Sequence, residues 1–391
     1  MRGYTPTSGA MFFVIDMEER IRQDHPLRPI KAAVDEILAE LGPLFDRAYS
    51  QTGRPGVPPE VLLKALLLQC LYTIRSERQL VERIDTDLLF RWFCGLDPAE
   101  EVFDPTAFTH NRPRLDEYNI TAAFFDAVNS RAIEAGLASD EHFSVDGTMI
   151  ESYASIKSFR PIDASNDDHT DDNIDNSGDT NGFKSRNAEV NFHGTRRSNA
   201  THRSTTDPQA RLYRKSPGQE ARLSHLAHAI SENRNGLVMA VSVSEANGRA
   251  ECLAAVKMVD ALRERSVAVR TLGADRGYDS GALMIALEQR GVTPHVAMRA
   301  GRVGGVSGAR RKSKKDRPLI AARQRMASRL AEDGYAVSQR SRKKVEEVFG
   351  WMKTIAGLSR SRHVGRWKLQ QQVELAAACY NLVRMRTLLA C

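Results

Sequence analysis

The sequence predicts an α/β protein, an all-helical N-terminal region followed by a mixed sheet with flanking helices. Three observations carry this. Apolar residues recur at intervals of three and four between residues 27 and 134, as buried helix faces require. Two alternating runs, 221–231 and 236–244, flank Glu232, Asn233, Arg234 and Asn235, which is the pattern of a β-hairpin. From 249 to 298 helical and β segments alternate, the βαβ rhythm that lays strands parallel under covering helices.

With 391 residues the chain has room for two or three folding units, because single cores stop growing near ~250–300 residues. The change of period places a boundary at residue 135, giving a helical unit 1–135 and a core 136–391. A formal charge of +7 and a pI of about 9.2 favour a polyanionic partner, nucleic acid or an anionic membrane surface. The five cysteines are scattered and never form a C-x-x-C pair, so neither a disulfide framework nor a cysteine zinc site is expected and a reduced, cytoplasmic setting fits. The run MFFVI is short and followed by Asp16, Glu18 and Glu19, unlike a signal peptide or a span, so no membrane partner is expected.

Ile30, Ala33, Ile37, Leu38 and Leu41 mark the first core helix, and Leu62, Leu63, Leu66, Leu67 and Cys70 the next. Pro58 and Pro59 can open that second helix, whose first N–H groups need no acceptor. Ser76 and Gln79 form a capping-box signature for a third. In PTAFTHNRPRL, Arg112 and Arg114 offer phosphate contacts. Residues 142–145 and 149–153 read as two short strands around a turn at Asp146 and Gly147. Residues 155–217 lose all periodicity, hold seven aspartates between Asp163 and Asp179, and are expected to be a disordered insertion. Helices are expected at 249–263, 280–289, 319–333, 341–356 and 369–389, and strands at 268–273 and 293–298.

The chemistry is concentrated in three carboxylates. In HFSVDGTMIES an apolar strand runs into Asp146 and a glycine; in VRTLGADRGYDS a second does the same at Asp275. Aspartate is a poor strand former, so each position implies a turn or a ligand. Two such residues on adjacent parallel strands converge at the carboxyl edge of a sheet, where open α/β folds hold ligands. In RSRKKVEEVFGWMKT, Val345, Val348, Phe349, Met352 and Ile355 make a buried stripe, with Arg342, Glu346 and Lys353 beside it. Glu347 is the second choice for the helix carboxylate. If Asp146, Asp275 and Glu346 meet, they suit two Mg²⁺ ions, or Mn²⁺ in their place, the arrangement used for in-line displacement at phosphorus. Arg342 and Lys353 would then face the phosphate.

SVDGTMIES, GADRGYDS and RKKVEEVFGWMKT resemble the three signature blocks of the DDE transposases of bacterial insertion sequences, in the branch of insertion sequences four and five. There the third block carries Arg, three residues, Glu, six residues and Lys, which Arg342, Glu346 and Lys353 match. A tyrosine also stands two intervening residues before the arginine; here that position is Gln339. GRPGVPPEVLLKALLLQCLY resembles the helical domain that precedes the core in the same enzymes. The resemblance implies an RNase H-like core, with Asp146, Asp275 and Glu346 as catalytic metal ligands. It implies a DNA-binding N-terminal domain, and cleavage and transfer of double-stranded DNA at terminal inverted repeats. Two ends held together imply a homodimer, and the substrate a nucleoid-associated cytoplasmic enzyme.

Further basic residues extend the expected DNA surface. The stretch 299–317 carries eight Lys or Arg against Asp316, including Arg310, Arg311, Lys312, Lys314 and Lys315, among four glycines that allow close approach to a backbone. Arg360, Arg362, Arg366 and Lys368 continue it, with Trp351 or Trp367 available to stack. A calcium loop beginning at Asn173 fails, because its twelfth position is Lys184. His225 and His228, three apart on a strand, fall on opposite faces and make no zinc site. Two alternatives remain to a transposase: a nuclease of the same core that cuts without joining, and a catalytically silent DNA-binding repressor.

Overall fold

The computed structural model describes residues 16–50, 52–53, 56–139, 141–162, 190–192, 195–214, 218–299 and 317–390. The N-terminal helices are α1 (Met17–Arg20), α2 (Leu27–Glu40), α3 (Gly42–Ala48), α4 (Pro59–Leu71), α5 (Glu77–Thr86), α6 (Leu88–Cys94), α7 (Thr106–Glu117) and α8 (Ile120–Glu134). Their ends follow from sequence. Pro59 stands in the first turn of α4, and the Ser76 hydroxyl accepts from Gln79 N–H at 3.1 Å to cap α5, as the signature predicts. α4 is apolar nearly all round and is buried among its neighbours.

The sheet that follows is built from β1 (His142–Glu151), β6 (Arg211–Tyr213), β7 (Arg222–Glu232), β8 (Val238–Glu245), β9 (Thr271–Ala274) and β10 (Thr293–Val296). Between β1 and β6 lie two small ribbons, β2 (Phe159–Pro161) with β5 (His202–Ser204), and β3 (Val190–Phe192) with β4 (Thr195–Arg197). β10, β9, β1 and β7 are neighbours in that order, and β8 and β6 both pair with the far edge of β7. β7 is antiparallel to β1 and β8, while β1, β9 and β10 are parallel. An antiparallel three-strand meander whose first strand continues into two parallel crossover strands is the RNase H-like arrangement.

Helices α9 (Ala250–Glu264), α10 (Gly281–Glu288), α11 (Arg317–Arg329), α12 (Asp333–Ser341), α13 (Lys343–Thr354) and α14 (Arg366–Leu389) flank the sheet. α14 covers the exposed edge of β8 with amides. Asn381 accepts from Val238 N–H at 2.8 Å and donates to Val238 C=O at 2.7 Å, and Gln370 accepts from Val243 N–H at 2.7 Å. An edge strand that would otherwise present unpaired groups is thereby closed. One buried apolar cluster runs from Ile21 in the N-terminal region through Phe143, Val145 and Leu272 of the sheet to Met385 in α14.

Three expectations need correction. Residues 142–151 form one strand without a turn, because β7 pairs with it continuously from Phe143 to Glu151, and Asp146 faces Ala229 in mid-register. That partner outweighs the low strand propensity of aspartate. The expected insertion has structure on both flanks: Phe159, Ala210 and Leu212 pack with Ala154 and Leu223 in a small core of their own. Buried Asp207 beneath it accepts from Ser152 at 2.7 Å and bonds His225 Nε2 at 2.8 Å. The aspartate-rich stretch and MFFVI lie outside the described residues. Ile355, assigned to the α13 stripe, is exposed at the helix end, whereas Val345, Val348, Phe349 and Met352 are buried as expected. Among the described residues no helix is long and apolar enough to cross a membrane.

Candidate active site

Two aspartates meet because two strands run in step. The β1–β9 register pairs Phe143 with Leu272 and Ser144 with Gly273, so two residues further on Asp146 stands level with Asp275. Asp275 directly follows β9 and caps a short 3-10 turn, Arg276–Tyr278, by accepting from Gly277 N–H at 2.7 Å. Asp146 accepts from Gly147 N–H at 2.8 Å. Burial pushes the Asp146 carboxyl up to about 6, and the negative charges of Asp275 and Glu251 add to the rise; the Gly147 N–H and Arg342 oppose it.

Neighbouring loops are fixed by polar contacts. Arg323 of α11 pairs at 2.9 Å with the fully buried Asp279, which also accepts from Arg299 N–H at 3.2 Å. Gln339 of α12 donates from one amide nitrogen to Ala274 C=O at 3.3 Å and His295 C=O at 2.5 Å. The residue standing where the resembling family has a tyrosine thus ties α12 to the ends of β9 and β10.

Glu346 lies in the first turn of α13, which packs on β1 and β7. Its side chain is 56% exposed and pairs with Arg342 at 3.2 Å, one helical turn back. Arg342 also exerts its charge on Asp146. The structure therefore sets Asp146 and Asp275 level on adjacent strands and pairs Glu346 with Arg342. Among the described residues no three Asp, Glu, His or Cys side chains are gathered to hold a metal ion. Glu347, the second choice, is exposed on the neighbouring flank of α13. Lys353 is half-buried further along the same helix, and its carbonyl accepts from Ser359 Oγ at 3.2 Å.

The donor set fits a hard divalent ion. It consists of carboxylate oxygens, and a cradle lies beside them: a Cβ on Gly277 would stand 2.8 Å from Asp275 Oδ1 and 3.3 Å from Glu251 Oε2. Mg²⁺ takes oxygen ligands and keeps several waters, so Asp146 and Asp275 are the side chains that would hold it. Bound there, such an ion would activate an oxygen nucleophile and favour the leaving oxygen at a phosphodiester.

The expected DNA contacts fare unevenly. Arg112 is buried and ion-paired with Glu77, Nε to Oε1 at 3.1 Å, so it cannot serve as a phosphate contact; a guanidinium in an apolar helix interface is retained by its carboxylate. Arg114 stacks on the Tyr49 ring at 4.3 Å and donates to Asn111 at 2.9 Å. Arg310, Arg311, Lys312, Lys314 and Lys315 lie outside the described residues. Arg360 donates to the Ser152 and Tyr153 carbonyls at 3.3 and 3.2 Å, Trp351 packs edge-on against Tyr380, and Lys368 sits over the Trp367 ring. His225 and His228 face opposite sides of β7, bonded to Asp207 and Ser244 respectively.

Sequence reasoning passed over Glu251, in the first turn of α9, and the fully buried Tyr278, both beside the aspartates. The only signal was a glycine shortly after each aspartate, leaving room for a neighbour.

Two solved structures of the Mos1 transposase are similar to this chain. A pre-cleavage transpososome is 12% identical over 81% of this chain and 83% of that one, with a TM-score of 0.19. A paired-end complex with the left transposon end is 13% identical over 84% and 88%, with a TM-score of 0.20. No curated protein matches. Residues 15–114 match a family model described as a transposase domain (DUF772), and residues 198–382 one described as a transposase DDE domain. Asp275 and Glu346 fall inside the second match and Asp146 between the two. A transposase domain followed by a transposase DDE domain together indicate a DDE transposase.

Proposed function

We propose that this transposase belongs to the branch of insertion sequences four and five, binds the terminal inverted repeats of such an element as a homodimer, and cuts and joins DNA strands with Mg²⁺. Asp146 and Asp275 would hold the ion, and Glu346 would join them once the phosphate of the DNA draws Arg342 away. Arg342 and Lys353 then face the scissile phosphate, favouring the charge that develops there. The observation that supports this most is the level placement of Asp146 and Asp275 on adjacent parallel strands, with the Arg342–Glu346 pair on the helix packed beside them. Bidentate recognition by arginine makes phosphate a natural competitor for Glu346.

The test uses a labelled element end with a supercoiled plasmid target. Joined products support the proposal; cleavage without joining reduces the protein to a nuclease, and binding without cleavage to a repressor. Asp146→Asn, Asp275→Asn and Glu346→Gln should each abolish cleavage with end binding nearly unchanged, and substantial residual cleavage by any one removes that residue from the set.

A further inference from the structure

We propose that a cavity between the N-terminal helices and the loop after α13 is a binding site for a small monovalent anion of chloride size, held by the guanidiniums of Arg112 and Arg362. The site is independent of the carboxylates and of any metal they hold.

The cavity measures about 30 Å³ and lies where α4, α7, α14 and the loop between α13 and α14 meet. One water needs roughly 10–15 Å³ of such space, so there is room for a monatomic ion and not for a phosphate. Arg112, Arg362, Gln69 and Gln372 form its polar lining, and leucines, Cys70 and Ala356 the rest of the wall. Among the described residues no acidic side chain lines it.

Its cations are incompletely compensated. Arg112 directs Nε, at 3.1 Å, and Nη2 to one oxygen of Glu77. Its side chain is only 4% exposed, and Nη1 is buried with no hydrogen-bond partner. Arg362 donates Nη1 to Ile74 C=O, while Glu77, the carboxylate whose charge reaches it, is already engaged by Arg112. Two guanidiniums thus share one carboxylate. Burial holds the Arg362 guanidinium below its ordinary range, and the charge of Arg75 adds to the effect. The neighbouring His363 registers the same excess: burial, then the positive charges of Arg112, Lys368 and Arg362, push it down to about 3, although Glu77 lies 4.0 Å from its Nε2.

The backbone makes way for this arrangement. Gly357 has φ +68°, and a Cβ there would meet the Arg362 guanidinium, so a side chain at that turn would displace the arginine. Gln372 Oε1 is buried without a partner; turned over, the same amide offers N–H donors to an anion. Buried polar atoms without partners are rare and call for a ligand or a water. The competing account is a cavity filled with water, which would satisfy Arg112 Nη1 and leave the charges unbalanced. Water makes the protein indifferent to the identity of the anion in solution, and an anion site does not.

Chloride binding to the full chain can be read by the chlorine NMR linewidth, with bromide as competitor, and by thermal unfolding in sodium chloride against sodium gluconate at equal ionic strength. The unaltered protein should broaden the chloride line in a saturable way that bromide reverses. The gain in unfolding midpoint in chloride over gluconate should be larger by on the order of 2 °C in the unaltered protein than in Arg362→Gln, which should also lose the broadening. Arg360→Gln, which removes an exposed charge outside the cavity, should keep both effects. Equal linewidth and equal salt response in Arg362→Gln and the unaltered protein leave a water-filled cavity and overturn the proposal. Should Arg362→Gln not fold, Gln372→Glu takes its place: a tethered carboxylate stands in for the anion, so this variant should be at least as stable as the unaltered protein in gluconate and should no longer respond to chloride. A chloride response in Gln372→Glu like that of the unaltered protein overturns the proposal as well.

Discussion

Asp146→Asn should make the metal-free protein more stable while abolishing cleavage. Burial and the charges of Asp275 and Glu251 raise the Asp146 carboxyl from 3.8 to about 6. The folded protein thus holds this proton more tightly than the unfolded chain does. Between those two values the folded state binds more protons, so stability falls as pH rises through the window and the full penalty is present above about 6. The rise from 3.8 to about 6 corresponds to roughly 3 kcal/mol, an upper limit for a side chain that keeps some contact with water. Asparagine removes the charge and keeps an oxygen to accept from Gly147 N–H. Urea unfolding in chelator, followed by tryptophan fluorescence, should therefore show the variant more stable by up to about 3 kcal/mol at about pH 8, with the gap closing toward about pH 4. Adding Mg²⁺ should raise the unaltered protein and not the variant, because only a state that binds the ion gains from it. Equal stability at about pH 8, or a gap that persists in acid, would refute the account of this pocket as a site held under charge strain until an ion enters.

Other substitutions probe the surroundings. Arg112→Ala should lower stability by about 3–5 kcal/mol by leaving half-buried Glu77 without its partner, and leave the salt dependence of DNA binding unchanged; a salt slope smaller by about one would restore Arg112 as a phosphate contact. Asn381→Leu strips Val238 of both its partners and should cost on the order of 2–5 kcal/mol in denaturant unfolding; a neutral result would mean that the β8 edge is satisfied by water. Gln339→Ala should loosen α12 at the cost of about 1–2 kcal/mol and slow cleavage with end affinity unchanged. Weaker end binding with normal cleavage would instead make Gln339 a DNA contact.

What the sequence made legible was what local patterns control. The stripe Val345, Val348, Phe349 and Met352 oriented α13, and the hairpin flanking Glu232 to Asn235 appeared where alternation predicts it. Long-range pairing was less legible. Asp146 with Gly147 looks like a turn until an eleven-residue partner strand is known to lie alongside. Arg112 looks like a phosphate contact because nothing nearby in sequence reveals that Glu77, 35 positions away, neutralises it in the core. Glu251 escaped for a related reason: its neighbours Gly147 and Gly277 come from two other segments, and a lone glutamate opening a helix reads as an ordinary terminus. Order in residues 195–214 was missed because their apolar residues are few, and Asp207, Ser152 and His225 supply a polar anchor in place of a larger core.

The N-terminal helices bear directly on where α13 lies. α13 has only twelve residues, too few to be stable alone, so its position depends on what it packs against. At its C-terminal end Thr73, just past α4, donates to Ile355 C=O at 2.7 Å, and Arg362 in the following loop donates to Ile74 C=O. α14 is tied to the same region through Thr121 to Glu374 at 2.5 Å and Gln371 to the Arg112 carbonyl at 3.0 Å. These contacts lie within one continuous apolar core, so the helical region cannot shift as a rigid appendage without disturbing α13. A DNA end gripped by the N-terminal helices would accordingly act on the helix that carries Arg342 and Glu346, where the proposed mechanism would open their ion pair.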